Sequence, residues 1–397
     1  MQKICLVVVG MYLNLLSAFS QTTEAVYQNR KLKIEEINLV SSYYHQDGNN
    51  SAVTGGIGTE KLTDFANVID IKFIKYDKRF RKHSLTLEGG VDTYTSASSD
   101  RIDSKANSSA SSRDIRVYPS VAWTVENETK GTTFGLNASS STEFDYQSFG
   151  LGMTFAKKSK DNNRELTLKA QAFLDQVSLI APVELRTGGG TRREDDDYGT
   201  SARNSFIGSL SLSQVVSKRL QVMLIMEMVK QQGMLGLPFH RVYFTNNAMK
   251  AELLPSSRLK IPLGFRANYF VGDKIIIRSF YRYYHDDWGL NSHTIDLETT
   301  VKLTPFISVT PFYRYYNQTA IDYFAPYKVH AVTDQYFTSN YDLSKFNSNF
   351  FGAGFRLTPP KGVFGIGHFN MLELRYGHYN RSNGLNSNIV SLNLKFK

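Results

Sequence analysis

The chain has 397 residues, of which 41% are hydrophobic and 13% aromatic, with 23 Tyr and 26 Phe against 2 Trp. This composition excludes a disordered chain and fits either two soluble domains or one large β-structure. Beyond the N-terminus no apolar run approaches the ~20 residues that a membrane-spanning helix requires, which excludes a helical membrane protein. The formal net charge of +10 suits contact with anionic lipid heads or an acidic partner.

The N-terminus has the pattern of a secretory signal. Lys3 gives a basic start, residues 6–16 are mostly apolar, and "AFS" ends the stretch with small residues. This order of features is typical of a leader that is removed on export. We expect cleavage between Ser20 and Gln21; a buried helix is the alternative interpretation.

The predicted leader, residues 1–20, contains the only cysteine, Cys5. Cys5 precedes the apolar stretch, where it is badly placed to carry a lipid. The mature chain would have no disulfide and a charge of +9, because Lys3 is removed as well. We expect a short periplasmic segment over 21–33 and one structural domain over 34–397.

Apolar and polar residues alternate along most of the remaining chain. The clearest example is "DIRVYPSVAWTVE" (114–126), in which every second residue from Ile115 to Val125 is apolar or proline. Period two is the pattern of a β-strand with one apolar face, and no stretch shows helical spacing over several turns. The chain is therefore predicted to be all-β. Strands are predicted near 34–45, 65–77, 83–94, 114–126, 132–141, 148–157, 165–176, 204–216, 219–230, 259–271, 274–285, 290–303, 306–317, 349–358, 370–380 and 388–397.

These segments number about sixteen, or fourteen if the weakest are discounted; the first, second and fifth are the weakest. Each is close to the 9–11 residues that a tilted strand needs to cross a bilayer. The connections between strands alternate in length. Counted from the first, the odd-numbered connections include all the long loops but one. The even-numbered connections are short except the one at 359–369. Short periplasmic turns and long extracellular loops are typical of outer-membrane barrels. The sequence thus predicts a single closed antiparallel transmembrane β-barrel.

The chain ends in a two-faced strand, "NIVSLNLKFK". Val390, Leu392, Leu394 and Phe396 form its apolar face. A closed barrel has no edge, so its last strand pairs with its first and one face meets lipid. Lys397 after the final aromatic departs from the usual outer-membrane assembly signal, and a soluble β-sandwich could show similar alternation.

Tyrosines recur near the predicted long-loop ends of late strands, as in the repeated "FYRYY". Tyr281, Tyr283, Tyr313, Tyr315 and Tyr376 are predicted to face outward in an interfacial girdle, with the ring in the bilayer and the hydroxyl in water. The alternative is ordinary β-propensity.

Five stretches resemble a known family: "KLKIEEINLVSSYYHQDGNNSAVTGGIGTEKLTDFANVIDI", "STEFDYQSFG", "KKSKDNNRE", "GLPFHRVYF" and "YDLSKFNSNFFGAGFRLTPPKGVFGI". The chain resembles, over essentially its whole mature length, the uncharacterised exported β-barrel family called domain of unknown function 3570. The resemblance implies an outer-membrane barrel with no established activity, ligand or catalytic residue. It also implies gene neighbours encoding a small lipoprotein and a periplasmic flavin transferase, hence a possible partner and redox work at the envelope.

The predicted lumen carries a cationic excess on the later strands. Rings of Arg or Lys select anions in pores; the alternative is that lumenal arginines pair with carboxylates across strands and stiffen the wall. The candidate anion contacts are Arg266, Arg278, Arg282, Arg314, Arg356 and Arg375.

Two loops are candidate sites, one for a metal ion and one for a plug. The loop 186–203 clusters carboxylates but lacks the spacing of a calcium loop, so a solvated loop is favoured and no metal is expected. The loop "GLPFHRVYF" is the most hydrophobic, and it is predicted either to fold inward as a plug or to pack against other loops. Its candidate plug residues are Leu237, Pro238, Phe239, His240 and Arg241.

Enzymatic interpretations are weak. Ser292 and His293 are adjacent and so face opposite sides of a strand, which does not suit a Ser–His pair. No histidine spacing suggests zinc. We expect no catalytic activity and no cofactor.

The sequence therefore predicts an outer-membrane channel or uptake conduit for small, potentially anionic solutes. The alternative is a structural or interaction barrel that docks a lipoprotein or takes part in envelope assembly, secretion or redox work. Expected partners are outer-membrane lipid and lipopolysaccharide, the barrel assembly machinery and a small lipoprotein; nucleic acid is not expected.

Overall fold

The computed structural model describes residues 31–95, 114–185 and 199–397. Sixteen antiparallel strands form one closed barrel, and two further short strands form a hairpin in a loop. No helix in the described part of the chain is long and apolar enough to cross a membrane. The predicted leader, its cleavage point at Ser20 and Gln21, and residues 186–198 of the acidic loop lie outside the described residues.

All sixteen predicted strands are present, so the smaller count of fourteen is excluded. Their ends differ from the predicted ones by up to four residues, some lying beyond them and some short of them. The sequence missed only the loop hairpin β10–β11. The strands are β1 Lys33–Asp47, β2 Leu62–Tyr76, β3 Lys82–Tyr94, β4 Asp114–Asn127, β5 Thr132–Thr142, β6 Tyr146–Lys158, β7 Arg164–Ser178, β8 Thr200–Ser217, β9 Leu220–Gly233, β10 Arg241–Tyr243, β11 Met249–Ala251, β12 Ser257–Val271, β13 Ile275–Asp286, β14 Asn291–Lys302, β15 Ile307–Gln318, β16 Phe346–Leu357, β17 Phe369–Arg381 and β18 Asn386–Phe396.

The outer face of the barrel is apolar because every second side chain of each strand points outward. On β6, for example, Phe149, Leu151, Met153 and Phe155 are 45–56% exposed. A continuous exposed apolar belt is stable only in lipid, so the barrel spans a membrane. The five predicted girdle tyrosines share the register rows of this outer face, for instance Tyr281 beside Ile295.

The final strand closes the barrel as expected. β18 pairs antiparallel with both β17 and β1, and Phe396 lies opposite Ile37. The Phe396 ring stacks on Phe369, with centroids 4.9 Å apart. The Lys397 N–H donates to the His368 carbonyl at 2.9 Å. The last residues of the chain are thus held on both sides.

The long connections lie at one end of the barrel, as predicted, with the one exception of residues 358–368 between β16 and β17. We call this the loop end and the other the turn end. The most completely buried apolar side chains of the described residues include loop residues such as Val242 and Phe244 at 0% exposure, with Phe337 at 4%. A second cluster, around Trp288, packs beside them. The molecule therefore has a compact apolar core in its loops, beside the cylinder of strands.

Candidate functional site

The six predicted arginines all point into the barrel from β12 to β17. The register places Arg282 opposite Gly264 and Arg314 opposite Asp296, in rows that alternate with the exposed apolar rows. Because these strands are consecutive in the ring, their inner faces form one continuous surface. We call it the arginine wall; it consists of Arg266, Arg278, Arg282, Arg314, Arg356 and Arg375.

Part of the arginine wall is neutralised by ion pairs between neighbouring strands. Glu298 accepts hydrogen bonds from Arg278 at 2.7 Å and from Arg375 at 2.9 Å. Glu373 accepts from Arg356 at 2.7 Å and lies 3.4 Å from Arg375. The alternative of cross-strand pairing is therefore correct for these arginines, which brace β13 to β17.

The rest of the wall remains cationic. Asp296 binds Arg314 through Nε at 2.7 Å, yet the Arg314 side chain is 51% exposed. Arg266 and Arg282 are exposed, and the described residues provide no ion pair for either; Arg266 stacks at 5.4 Å over the Phe280 ring. Six guanidinium groups thus face three carboxylates, which leaves an excess of three positive charges.

Two strands on the opposite side of the lumen, β5 and β6, carry several small inward residues. In a ring of sixteen strands β5 lies across from β15. The inward residues of β5 and β6 include Ser139, Ser141, Gly150 and Gly152.

Phenylalanines beside the arginine wall contact glycines of neighbouring strands. A Cβ on Gly377 would lie 2.5 Å from the Phe350 ring, and one on Gly352 would lie 2.7 Å from Phe312. The two rings are 5.1 Å apart, and the Arg375 guanidinium lies 4.9 Å from the Phe312 centroid. Only glycine at positions 352 and 377 thus leaves room for these rings.

Loops from opposite sides of the barrel meet over its mouth. Arg241, which is 5% exposed, donates to Glu184 at 2.6 and 3.1 Å and to the Val53 carbonyl at 2.7 Å. Its loop follows β9, which is diametrically opposite β1 in the ring. Leu253 and Phe337 exchange backbone hydrogen bonds at 3.2 and 2.8 Å. We call residues 48–61, 234–256 and 319–345 the loop cap.

The predicted plug residues belong to this cap. Pro238, His240 and Arg241 are buried, and Leu237 and Phe239 are half-buried. The segment packs against other loops, which is the second of the two interpretations, and its action as a plug stays a prediction.

A carboxylate lies at the centre of the cap. Glu252 is 7% exposed, accepts from the Leu237 N–H at 2.8 Å and from the Thr338 hydroxyl, and lies 3.4 Å from His240 Nδ1. Burial alone would raise the pKa of Glu252, but His240 and these hydrogen bonds together lower it below its ordinary value. Glu252 is thus a charged group that ties two loops together.

An acidic cluster at the loop end was missed by the sequence analysis. Carboxylate oxygens of Asp114, Glu143 and Asp145 lie within 4.8 Å of one another, and the Tyr94 hydroxyl donates to Glu143 at 2.6 Å. Burial, followed by the two neighbouring carboxylates, raises the pKa of Asp145 to about 6. Only the register brings these residues together, so no local motif could have revealed the cluster.

Comparisons with known proteins give a family and a general likeness. The family model described as "Protein of unknown function (DUF3570)" matches residues 89–382. The match begins beyond the quoted stretch at 31–71, so it covers less of the chain than the resemblance suggested. No curated protein matches.

Solved structures with a similar outline include porins. OccK9 (OpdG) of Pseudomonas aeruginosa has a TM-score of 0.46 at 9% identity, over 92% of this chain and 98% of that one. A BenF-like porin from Pseudomonas fluorescens Pf-5 has a TM-score of 0.45 at 8% identity, over 93% and 100%. Because the family model covers 294 of 397 residues, the chain belongs to the family of unknown function DUF3570.

Proposed function

We propose that this protein is an outer-membrane channel for small solutes that favours anions. The observation that carries the proposal is the arginine wall, with its excess of three positive charges on consecutive strands of the lumen. A sixteen-strand barrel is wide enough to enclose an aqueous channel unless it is plugged. Fixed positive charges along such a channel raise the local anion concentration.

The loop cap would control access to this channel. Its segments join opposite sides of the mouth through a small number of polar contacts, chiefly those of Arg241 and Glu252. Loops held in this way can separate without unfolding the barrel, since the strands carry their own hydrogen bonds. We propose that movement of the cap opens the extracellular mouth and that the turn end faces the periplasm.

Transport rather than catalysis fits the described residues. Ser292 points inward and is 2% exposed, whereas the neighbouring His293 accepts or donates a 2.8 Å hydrogen bond with Tyr281 on the outer face. The two side chains therefore cannot act together, as the sequence suggested. We include the absence of catalysis in the proposal.

Planar bilayers test the channel. We expect purified protein to give discrete conductance steps and, in a tenfold KCl gradient, a reversal potential that shows chloride preference. The double substitution Arg266→Gln and Arg282→Gln should reduce this preference, because it removes the two arginines without ion pairs. Lys169→Gln is the matched control: it removes one inward cation from β7, away from the wall. A protein that conducts at no voltage, or equal loss in the control, would contradict the proposal.

A second candidate, a docking barrel, is favoured by the turn end. Phe80 and Phe364 are 80% and 78% exposed, and both hold positive φ angles of 55° and 56°. Such backbone strain in a residue with a Cβ, combined with an exposed ring, is typical of interaction sites. The partner would be a lipoprotein or other periplasmic protein. Phe80→Asn with Phe364→Asn should then abolish co-purification of that partner while leaving conductance unchanged.

A further inference from the structure

A recess of about 410 Å³ lies in the lumen wall beneath the loop cap. Inward side chains of β1 and β15 to β18 form its sides, and Glu60 and Asp342 of the cap lie at its upper rim. This volume is within the range of small-molecule sites, which are roughly 300–1,000 Å³ and combine apolar surface with a few polar groups. The recess therefore has the dimensions of a binding site on the permeation route.

Two guanidinium groups supply positive charge to the recess. Arg314 uses Nε and Nη2 on one oxygen of Asp296, at 2.7 and 2.5 Å. Arg381 donates from Nη1 to Asp342 at 2.7 Å and from Nε to the Tyr379 hydroxyl at 3.1 Å. A guanidinium has five N–H donors, so each retains donors that can bind a carboxylate.

Aromatic rings line the same recess. The Phe350 ring lies against Gly377 of the next strand, where a Cβ would come within 2.5 Å of it, and it lines the recess. Tyr44 and Tyr379 add two further rings. The Arg314 guanidinium lies 6.0 Å from the Phe350 centroid. An aromatic surface next to a cation suits a solute with a ring and a negative charge.

The carboxylates at the rim oppose an anion only weakly. Asp342 is already paired with Arg381. Burial raises the pKa of Glu60, and nearby Asp342 raises it further, so Glu60 is protonated over a wider pH range than an ordinary glutamate. Arg314 and Arg381 are also paired, so what they offer an incoming carboxylate is their remaining N–H donors.

We infer that the recess binds small aromatic carboxylates, of about the size of benzoate, with the carboxylate on Arg314 and Arg381 and the ring on Phe350. This inference rests on the proposed channel function, because it names the class of anion that the channel would carry. It differs from a general preference for anions in requiring the ring as well as the charge.

Calorimetric titration of the purified protein in detergent tests the inference without any requirement for conduction. Three probes separate ring from charge: benzoate, cyclohexanecarboxylate, which has similar size and charge but no aromatic face, and benzamide, which has the ring but no charge. We expect cyclohexanecarboxylate to bind several-fold more weakly than benzoate and benzamide at least tenfold more weakly. Equal binding of benzoate and cyclohexanecarboxylate, or no binding of benzoate, would overturn the inference.

Variants locate the site. Phe350→Leu should abolish the preference for benzoate over cyclohexanecarboxylate, and Arg314→Gln should weaken both carboxylates about tenfold. Phe173→Leu is the matched control, since Phe173 also lies over a glycine, Gly150, but on β7 across the lumen. Loss of preference in the control equal to that in Phe350→Leu would overturn the assignment. Conduction without benzoate binding would refute this inference alone, and benzoate binding without conduction would refute the channel alone.

Discussion

Replacing Arg241 by methionine tests whether the loop cap closes the mouth. Methionine keeps much of the length and apolar surface of arginine but removes its three hydrogen bonds to Glu184 and the Val53 carbonyl. Hydrogen bonds that involve a charged group contribute about 1.5–3 kcal/mol each. The Glu184 side chain is 44% exposed and can be rehydrated once it is released, so the net loss is expected to be about 3 kcal/mol and not the full sum.

That loss should appear as a change in the closure of the cap. Each 1.4 kcal/mol is a factor of ten in an equilibrium constant, so about 3 kcal/mol raises the population of separated loops roughly a hundredfold. In single-channel records we expect longer dwell times at the highest conductance level, and in limited proteolysis we expect faster cleavage within the cap.

The control for this substitution is Arg219→Met. Arg219 lies in the tight turn between β8 and β9 at the turn end, where loss of its charge should affect neither assay. If Arg241→Met left both the dwell times and the cleavage rates unchanged, the cap would not be the gate. The same conclusion would follow if Arg219→Met changed both assays equally.

Three further substitutions test other parts of the structure. Asp145→Asn should stabilise the protein above pH 6, because the pKa of Asp145 is raised from 3.8 to about 6. The stability that protonation of Asp145 contributes is complete below pH 4 and is lost as the pH rises through 6. Two pKa units correspond to about 3 kcal/mol, measurable by urea unfolding at pH 7.5 and absent at pH 4. Gly377→Ala should displace the Phe350 ring, because the new Cβ would lie 2.5 Å from it, and should destabilise by about 1–3 kcal/mol and weaken benzoate binding in calorimetry. Phe396→Ala should lower stability by about 1–2 kcal/mol in urea, because it removes the ring that stacks on Phe369 in a half-buried position.

Each of these three has its own contrary result. A stabilising effect of Asp145→Asn that was equal at pH 4 and pH 7.5 would show that its charge is not the cause. Gly377→Ala with unchanged benzoate binding would show that the ring is not held by the glycine. Phe396→Ala with wild-type stability would show that the last strand is not needed to hold the closed barrel together.

The strands could be predicted from sequence because the signal is local. Each strand contacts lipid on one face and the lumen on the other, so the two solvents impose period two directly on segments such as residues 114–126. The same alternation fixed the direction of all six wall arginines. The end of the barrel at which each loop lies could also be predicted, because successive connections of an antiparallel barrel alternate between its two ends.

The cap and the recess could not be predicted, because they depend on residues far apart in the chain. Arg241 and Val53 are separated by 188 positions, and the sequence around neither residue contains a motif that indicates their contact. The placement of Phe350 over Gly377 depends on the exact register between β16 and β17. A shift of one residue would turn these side chains to the other face, and such precision is beyond periodicity alone.

The central claim is that anions cross the membrane beside the arginine wall. Flux into proteoliposomes tests it most directly, with benzoate and benzamide added to the same vesicles at equal concentration. The claim predicts that the protein accelerates entry of benzoate more than that of benzamide and that the double substitution at Arg266 and Arg282 reduces this difference. Equal acceleration of both solutes by the wild-type protein, or acceleration of neither, would contradict it.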